Sequence, residues 1–177
     1  MKNTRVVIFL AFVLLATAVT LLVFYNLGYI FYFPASSDDR SPAQPIAFSH
    51  RLHAGERGIH CEYCHRSARI SSTAGVPDVA LCRSCHMYIA ADRPVIKDLS
   101  RYWIEGRPIP WVRVHRLPDF AFFPHRMHLN AGVYCDQCHG NVAAMDRVER
   151  VSGLNMGWCL DCHRRKSASI DCWTCHR

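Results

Sequence analysis

The pattern Cys-x-x-Cys-His occurs five times in this 177-residue sequence and constrains its fold more than any other feature. Two thiols three positions apart can reach the two vinyl groups of one porphyrin, and the histidine that follows then lies under the iron as its proximal ligand. The sequence therefore predicts five covalently attached haems c. Their attachment sites are Cys61, Cys64, Cys82, Cys85, Cys135, Cys138, Cys159, Cys162, Cys172 and Cys175, and their proximal iron ligands are His65, His86, His139, His163 and His176.

Paired cysteines have three other common uses, which are a thioredoxin-like redox pair, a zinc ribbon and a disulfide scaffold. A redox pair normally occurs once in a chain, whereas this pattern occurs five times and uses all ten cysteines. Zinc sites do not require a histidine directly after every second cysteine. Haem attachment is the interpretation that explains the cysteines and the histidines together.

Six of the eleven histidines lie outside the five motifs. Two F-x-H-x-x-H units precede the first and third motifs, and a lone histidine lies between these units. From this set we predict five distal iron ligands: His50, His53, His115, His125 and His128. The sixth, His60, abuts Cys61, where its reach to an iron is awkward, so it is the spare. Four methionines compete for a distal position: Met87, Met127, Met145 and Met156. Met156 is the strongest of them, and apolar packing beside Trp158 is its simpler explanation.

The spacing within each F-x-H-x-x-H unit places two imidazoles side by side. On a helical turn, His50 and His53 project from one side with Cβ atoms about 5–6 Å apart. Two imidazoles that close cannot bind opposite faces of one haem, but they can bind two haems and hold them near each other. If every iron is six-coordinate, no iron position is open for a substrate. The sequence therefore predicts a non-catalytic electron-transfer protein.

An uncharged run of 28 residues, Val6 to Phe33, follows Lys2 and Arg5 at the N-terminus. About 20 apolar residues span a bilayer, whereas the apolar region of a cleaved signal peptide has about 7–15. We predict an uncleaved, single-pass anchor in the cell membrane, with a cytoplasmic N-terminus and the haem domain on the periplasmic or extracytoplasmic side. The predicted organisation is a cytoplasmic tip and anchor helix at 1–33, a polar linker at 34–45 and a haem domain at 46–177.

The residues after the anchor, 34–177, number 144, which leaves about 29 for each haem. The predicted fold class is a mostly irregular and α-helical multihaem cytochrome c domain with a haem-dominated core, plus one N-terminal transmembrane helix. Short helices are expected at each motif, with loops between them. In the cysteine-free segment Arg93–Pro118, Trp111–His115 is a candidate short strand or hairpin arm. That segment is equally consistent with a docking surface that supplies His115 and with a structural wrap around the haems.

The formal net charge of +7 does not indicate a nucleic-acid partner. Five haems bring ten propionates, and these carboxylates are ionised at neutral pH. The excess of Arg and Lys is therefore expected to compensate charge inside the haem domain.

The sequence also resembles known cytochromes. Its two F-x-H-x-x-H…C-x-x-C-H units resemble those of class III multihaem cytochromes. The whole chain, residues 1 to 177, resembles the pentahaem cytochrome c subunit of bacterial alternative complex III. The motifs that carry this second resemblance are F-S-H-R-L-H-A-G, P-I-P-W-V-R-V-H-R-L-P-D-F, N-A-G-V-Y-C-D-Q-C-H and M-G-W-C-L-D-C-H-R.

The class III resemblance implies that His50 binds the haem of His65 and that His125 binds the haem of His139. His53, His115 and His128 would then reach other haems. The complex III resemblance implies a quinol:electron-acceptor oxidoreductase in which this chain relays electrons. Its partners would be integral membrane quinol-binding subunits, an iron–sulfur subunit related to molybdopterin oxidoreductases, membrane lipid, and a monohaem cytochrome c or soluble carrier. The alternatives are a self-sufficient membrane multihaem quinol dehydrogenase that feeds periplasmic reductases, and an electron store without directed transfer.

Overall fold

The computed structural model describes residues 2–32 and 40–176, and within the first range it describes the side chains of residue 4 and residues 6–26. The chain divides into two compact units, Met1–Ser36 and Ser37–Arg177. Residues 34–39 of the predicted linker lie outside the described residues, as do the side chains of Lys2 and Arg5.

The first unit is one helix, Lys2–Tyr32. Its segment Val6–Asn26 has a mean hydropathy of 3.0 and is long and apolar enough to cross a membrane. The polar side chains in this segment bond to its own backbone: Thr17 and Thr20 donate to the carbonyl oxygens of Leu14 and Ala16 at 2.9 and 2.8 Å. Internal bonding of this kind is what an apolar surrounding requires of a hydroxyl group. The prediction of one N-terminal apolar helix is confirmed.

The second unit consists of short helical elements joined by loops, and residues 40–176 contain no strand. Every Cys-x-x-Cys-His motif lies on or next to a helix, as predicted. The helical elements are a π-helix at Arg51–Glu56, a 3-10 helix at Val142–Ala144, and α-helices at Cys61–Cys64, Val79–His86, Pro94–Ile104, His125–Asn130, Asp136–His139, Met156–Arg165 and Cys172–Cys175.

Polar side chains directly before the motifs fix where these helices begin. The Asp78 carboxylate accepts a hydrogen bond from the Leu81 backbone N–H at 2.9 Å. The Asn155 side-chain oxygen accepts one from the Trp158 N–H, also at 2.9 Å. Each satisfies a backbone donor that the first helical turn leaves unpaired. The N-caps therefore set the position of the second and fourth motifs along their helices.

The apolar core of this unit is small. Only six apolar residues are buried among those that the structure describes, and no polar or charged residue is. Five of them form one cluster around the Val79–His86 and Pro94–Ile104 helices: Ile46, Val79, Ile96, Leu99 and Ile109. Many large apolar side chains elsewhere in the unit are exposed, such as Tyr88 at 81% and Trp173 at 75%. Protein packing alone therefore covers little of the apolar surface.

The segment Trp111–His115 is not a strand, so the predicted strand or hairpin arm is wrong. Its backbone is held by a side chain instead of a neighbouring strand. The Gln44 amide group donates to the Val112 carbonyl oxygen at 3.0 Å and accepts from the Val112 N–H at 2.9 Å. One glutamine thus supplies the donor and the acceptor that a paired strand would have supplied. The described end of the predicted linker, residues 40–45, therefore belongs to the second unit and is bonded to its cysteine-free segment.

Candidate haem-binding site

Four of the five motif histidines are held in one tautomer. Their Nδ1 atoms lie within hydrogen-bond distance of main-chain carbonyl oxygens, which can only accept. The proton must therefore be on Nδ1, which leaves the Nε2 lone pair free to bind a metal. The pairs are His65 with Gly75 at 2.6 Å, His86 with Ile89 at 3.0 Å, His163 with Ser169 at 2.5 Å and His176 with Phe120 at 3.0 Å.

The fifth motif histidine, His139, has a different partner. Its Nδ1 atom lies 3.2 Å from Nε2 of His115. The two rings are nearly perpendicular, with centres 4.3 Å apart. Burial, followed by the charges of His115 and then of His125 and His65, lowers the pKa of His139 to about 4. Burial is also the main cause that lowers the pKa of His115. Both imidazoles are therefore neutral at pH 7.

Three of the predicted distal ligands have the same tautomer as the motif histidines. Nδ1 of His53 lies 2.8 Å from the Ser49 carbonyl oxygen, and Nδ1 of His128 lies 3.0 Å from that of Pro124. Nδ1 of His125 contacts the carbonyl oxygen of Ser72, 53 positions earlier in the chain, at 2.9 Å. Each ring is thus oriented with Nε2 available.

Three pairs of histidine rings stand at the separation that one shared iron requires. A metal–imidazole nitrogen bond is about 2 Å long and each nitrogen is about 1 Å from its ring centre, so two imidazoles on opposite sides of one iron have centres roughly 6 Å apart. The structure places three distal candidates at this distance from motif histidines: His53 from His86 at 6.0 Å, His125 from His139 at 6.4 Å with ring planes 7° apart, and His128 from His163 at 6.1 Å.

His50 differs from the other predicted distal ligands in the surroundings of its Nδ1 atom. Its Nδ1 atom is buried and has no hydrogen-bond partner among the residues that the structure describes. Burial, followed by the charges of His65 and His53, lowers the pKa of His50 to about 4. His50 is therefore a buried, neutral imidazole near His65, and its unpaired atom is Nδ1 and not the Nε2 atom that would bind an iron.

The two F-x-H-x-x-H units of the sequence also have the same local structure. Phe48 stacks on His53 with ring centres 4.3 Å apart and meets His50 edge-on at 4.8 Å. Phe123 stacks on His128 at 4.2 Å and meets His125 edge-on at 5.0 Å. In each F-x-H-x-x-H unit, the phenylalanine therefore fixes the orientation of both imidazoles that follow it.

The first of these units is anchored to the loop after the third motif. Asp146 accepts hydrogen bonds from the Ser49 hydroxyl at 2.6 Å and from the Arg51 guanidinium at 3.0 Å. These contacts hold the pKa of the Asp146 carboxyl below its usual value. Gly55 allows the close approach, since a Cβ there would lie 2.3 Å from the Ala143 carbonyl oxygen. Sequence reasoning missed Asp146, because nothing in M-D-R-V-E-R distinguishes it from a surface acid.

The two remaining candidates are placed away from the imidazole pairs. The His60 side chain is 75% exposed, and its Nδ1 accepts from the Glu62 N–H at 3.4 Å, so it caps the Cys61–Cys64 helix. Met156 begins the Met156–Arg165 helix and is 65% exposed. His60 is the spare histidine in the sequence-based prediction, and its exposure is consistent with that.

The cysteines do not have the properties of the alternative sites. All ten are free, so none is in a disulfide. Burial raises the pKa of Cys64, Cys82, Cys135, Cys138 and Cys159, whereas a reactive redox thiol has a lowered pKa. No group of three or more His, Cys, Asp or Glu side chains that could hold a metal ion directly occurs in the part of the chain that the structure describes. The donor set fits thioether-bound haem and not a zinc ribbon.

Comparison with known proteins agrees with this donor set. Residues 121–177, which contain three of the five motifs, match the family described as cytochrome c7 and related cytochrome c. The chain is also 28% identical, over 161 residues, to the multiheme cytochrome c subunit of menaquinone reductase from Nitratidesulfovibrio vulgaris strain Hildenborough. The alignment covers 76% of this chain and 77% of that protein. The predicted mostly irregular and α-helical fold with one N-terminal apolar helix is confirmed, and the similarity of this chain to multihaem cytochromes c agrees with covalently bound haem.

Proposed function

We propose that this chain is a membrane-anchored pentahaem subunit that relays electrons within a quinol:electron-acceptor oxidoreductase. The observation that carries the proposal is the set of three imidazole pairs with ring centres 6.0, 6.4 and 6.1 Å apart. Pairs at this distance fit irons that have a histidine on each side. An iron with two imidazole ligands has no position for a substrate, but it can still gain and lose one electron. Electron transfer is therefore the use that this geometry supports best.

The residues divide into three roles. The ten motif cysteines attach five porphyrins, and the five motif histidines bind the irons on one side. Four further imidazoles would each hold an iron together with one motif histidine: His53 with His86, His125 with His139 and His128 with His163 by their ring separations, and His50 with His65 by the class III resemblance. The haem supplies one-electron chemistry, and the protein supplies its attachment, ligands and exclusion of water. Two imidazole ligands on an iron favour a lower potential than histidine with methionine.

The quinone link rests on two similarities. The motif resemblance is to the cytochrome subunit of alternative complex III, and the relative in Nitratidesulfovibrio vulgaris is a subunit of a menaquinone reductase. Both place a chain of this kind beside partners that exchange electrons with a quinone. We infer the direction from the motif resemblance: integral membrane subunits oxidise a quinol, and electrons leave through this chain and an iron–sulfur subunit to a monohaem cytochrome c or soluble carrier.

The N-terminal helix is proposed to anchor the chain in the cell membrane. With Lys2 and Arg5 on the cytoplasmic side, the second unit lies in the periplasmic or extracytoplasmic compartment, where haem c is attached. Anchoring matters because electron tunnelling falls steeply with distance, so the haems must stay close to a membrane-embedded quinol site.

The proposal is tested by comparing quinol reduction in the assembled complex and in the purified chain. A quinol analogue is expected to reduce the haems in membranes that contain the partner subunits, and to leave the purified chain oxidised. The mass of the purified chain should exceed the polypeptide mass by five haems. Rapid reduction of the purified chain alone would favour a self-sufficient quinol dehydrogenase. Absence of reduction in both preparations would contradict the quinone link.

A further inference from the structure

We propose that the five motifs lie in single file, in an order that differs from their order in the sequence. The order in space is Cys82–His86, Cys61–His65, Cys135–His139, Cys159–His163 and Cys172–His176. This inference rests on the proposed function, since it takes each motif to hold a haem. It is supported by four separate links, one between each pair of neighbours in the file.

The first histidine pair links the second motif to the first. His53 lies 6.0 Å from the ring of His86. His50, three residues earlier, is the residue that the proposed function assigns to the iron of His65. Two imidazoles on one helical turn would therefore serve two haems, which places those haems side by side. The N–H of Ile59, two residues before Cys61, also donates to the His53 carbonyl oxygen at 3.0 Å.

The second histidine pair links the third motif to the fourth in the same way. His125 lies 6.4 Å from the ring of His139, and His128 lies 6.1 Å from that of His163. The two halves of the file are thus two copies of one arrangement.

The link between the halves joins the first motif to the third. The backbone N–H groups of His125 and Arg126 donate to the carbonyl oxygens of Ser72 and Ser71 at 3.1 and 3.0 Å. Ser71 and Ser72 lie in the loop between His65 and its carbonyl partner Gly75. The segment that faces His139 is therefore bonded to the loop that positions His65.

The last link joins the fourth motif to the fifth. Nδ1 of His163 contacts the Ser169 carbonyl oxygen at 2.5 Å, and the Ser169 hydroxyl is 3.0 Å from that of Thr174. Thr174 lies within the Cys172–Cys175 helix. The fifth motif also contacts residues 120–122, where Nδ1 of His176 lies 3.0 Å from the Phe120 carbonyl oxygen and the Phe122 N–H donates to the Cys175 carbonyl oxygen at 2.7 Å. Residues 120–122 carry no haem motif, so the fourth motif is the neighbour of the fifth, which forms one end of the file.

A single file determines the route of the current. If each motif holds a haem, the irons would supply one-electron exchange between neighbouring motifs, and the order of the motifs would fix the route. Electrons supplied by a quinol must then enter at one end and leave at the other. The ends are the second motif in the sequence, Cys82–His86, and the last, Cys172–His176.

The order is tested by removing single haems and measuring the midpoint potentials of those that remain. Charges on neighbouring irons interact, and this interaction weakens with distance and is screened over about 8 Å at physiological ionic strength. In a Cys172→Ser, Cys175→Ser chain, the midpoint potential of one remaining haem should shift, and the same is expected of a Cys82→Ser, Cys85→Ser chain. In a Cys135→Ser, Cys138→Ser chain, the midpoint potentials of two remaining haems should shift. The measurement is an electron paramagnetic resonance (EPR) titration of the full-length protein in detergent.

A shift in the midpoint potentials of two or more haems in either end variant would overturn the single file. A central variant that retains four haems but shows fewer than two shifted potentials would also overturn it. If the central variant loses further haems, the two end variants still decide the result, because a clustered or branched arrangement gives each removed haem several neighbours. No quinol is used in the titration. The titration can therefore contradict the proposed order of the motifs even if a quinol reduces the haems, and it can support that order even if no quinol does.

A separate observation concerns His115, which the sequence predicts as a distal ligand. We infer that His115 positions the motif histidine His139 and does not bind an iron. Its Nε2 atom, the nitrogen that would bind a metal, lies 3.2 Å from Nδ1 of His139. A ring separation of 4.3 Å is too short for an iron between the two rings. The place opposite His139 belongs to His125, whose ring is nearly parallel to it.

The contact replaces the carbonyl partner that the other four motif histidines have. If Nε2 of His139 binds iron, its proton is on Nδ1 and is donated to Nε2 of His115. Such a hydrogen bond fixes the ring and makes the ligand more basic. We expect His115 to lower the potential of this one haem.

Two variants separate this role from iron ligation. His115→Gln keeps an acceptor at the end of the side chain, whereas His115→Leu removes it. The leucine chain should keep the native spin state of every haem in the EPR spectrum while one midpoint potential rises, and the glutamine chain should return that potential towards the native value. A new high-spin signal in the glutamine chain would show that His115 binds an iron. Unchanged potentials in the leucine chain would also overturn the inference.

Discussion

A His53→Ala chain is expected to contain one high-spin haem, while the other haems keep their native spectra. The reason is geometric: the His53 ring centre lies 6.0 Å from that of His86, and the Ser49 carbonyl oxygen holds its Nδ1 so that Nε2 is free. Alanine removes this imidazole and offers no replacement ligand. The affected haem should be the one attached at Cys82 and Cys85. The EPR spectrum measures this as the loss of one low-spin signal and the appearance of one high-spin signal.

The chain supplies a matched control for this prediction. His60 lies between the first histidine pair and the first motif, but its side chain is 75% exposed and caps a helix. His60→Ala should therefore leave the spin state of every haem as it is in the native chain. A high-spin signal in the His60 variant together with none in the His53 variant would mean that the wrong histidine has been assigned to the iron.

The helical turns around the histidines could be predicted because their determinants are local. His50 and His53 needed only a turn of helix to lie on one side, and the same spacing in the second F-x-H-x-x-H unit gave the same geometry. Each Cys-x-x-Cys-His motif likewise requires one turn, and each received one. The apolar run Val6 to Phe33 was read from composition alone, and the structure has a helix over most of it.

The contacts between distant segments could not be predicted from spacing. Gln44 bonds to Val112 across 68 positions, and this bond removes any need for the strand predicted at Trp111–His115. His115 contacts His139 across 24 positions, so counting vacant irons and spare histidines assigned it to a ligand role that its geometry does not favour. Asp146 holds the first histidine pair from 95 positions away. Each depends on how loops meet, and loops carry no periodic signal.

A chain in which all ten cysteines are replaced by serine is expected to lose the folded second unit and to keep only its N-terminal helix in detergent. Ordering a residue costs about 1–2 kcal/mol of backbone entropy, and burial of apolar surface must offset that cost. In the described part of the second unit, only six apolar side chains are buried, while Tyr88 and Trp173 are 81% and 75% exposed. The faces of covalently attached porphyrins are therefore needed to bury the rest.

Far-UV circular dichroism and limited proteolysis of the full chain in detergent would measure this loss. The serine chain should show helicity close to that of its 31-residue N-terminal helix and rapid cleavage after it. The matched control is the Cys172→Ser, Cys175→Ser chain, which keeps four haems and should resist cleavage. A cooperative thermal transition in the haem-free chain would mean that the cluster around Ile46, Val79 and Leu99 folds the unit by itself. Because the described members of that cluster come from the Val79–Trp111 region and the segment before the first histidine pair, the third to fifth motifs depend on their haems for apolar support.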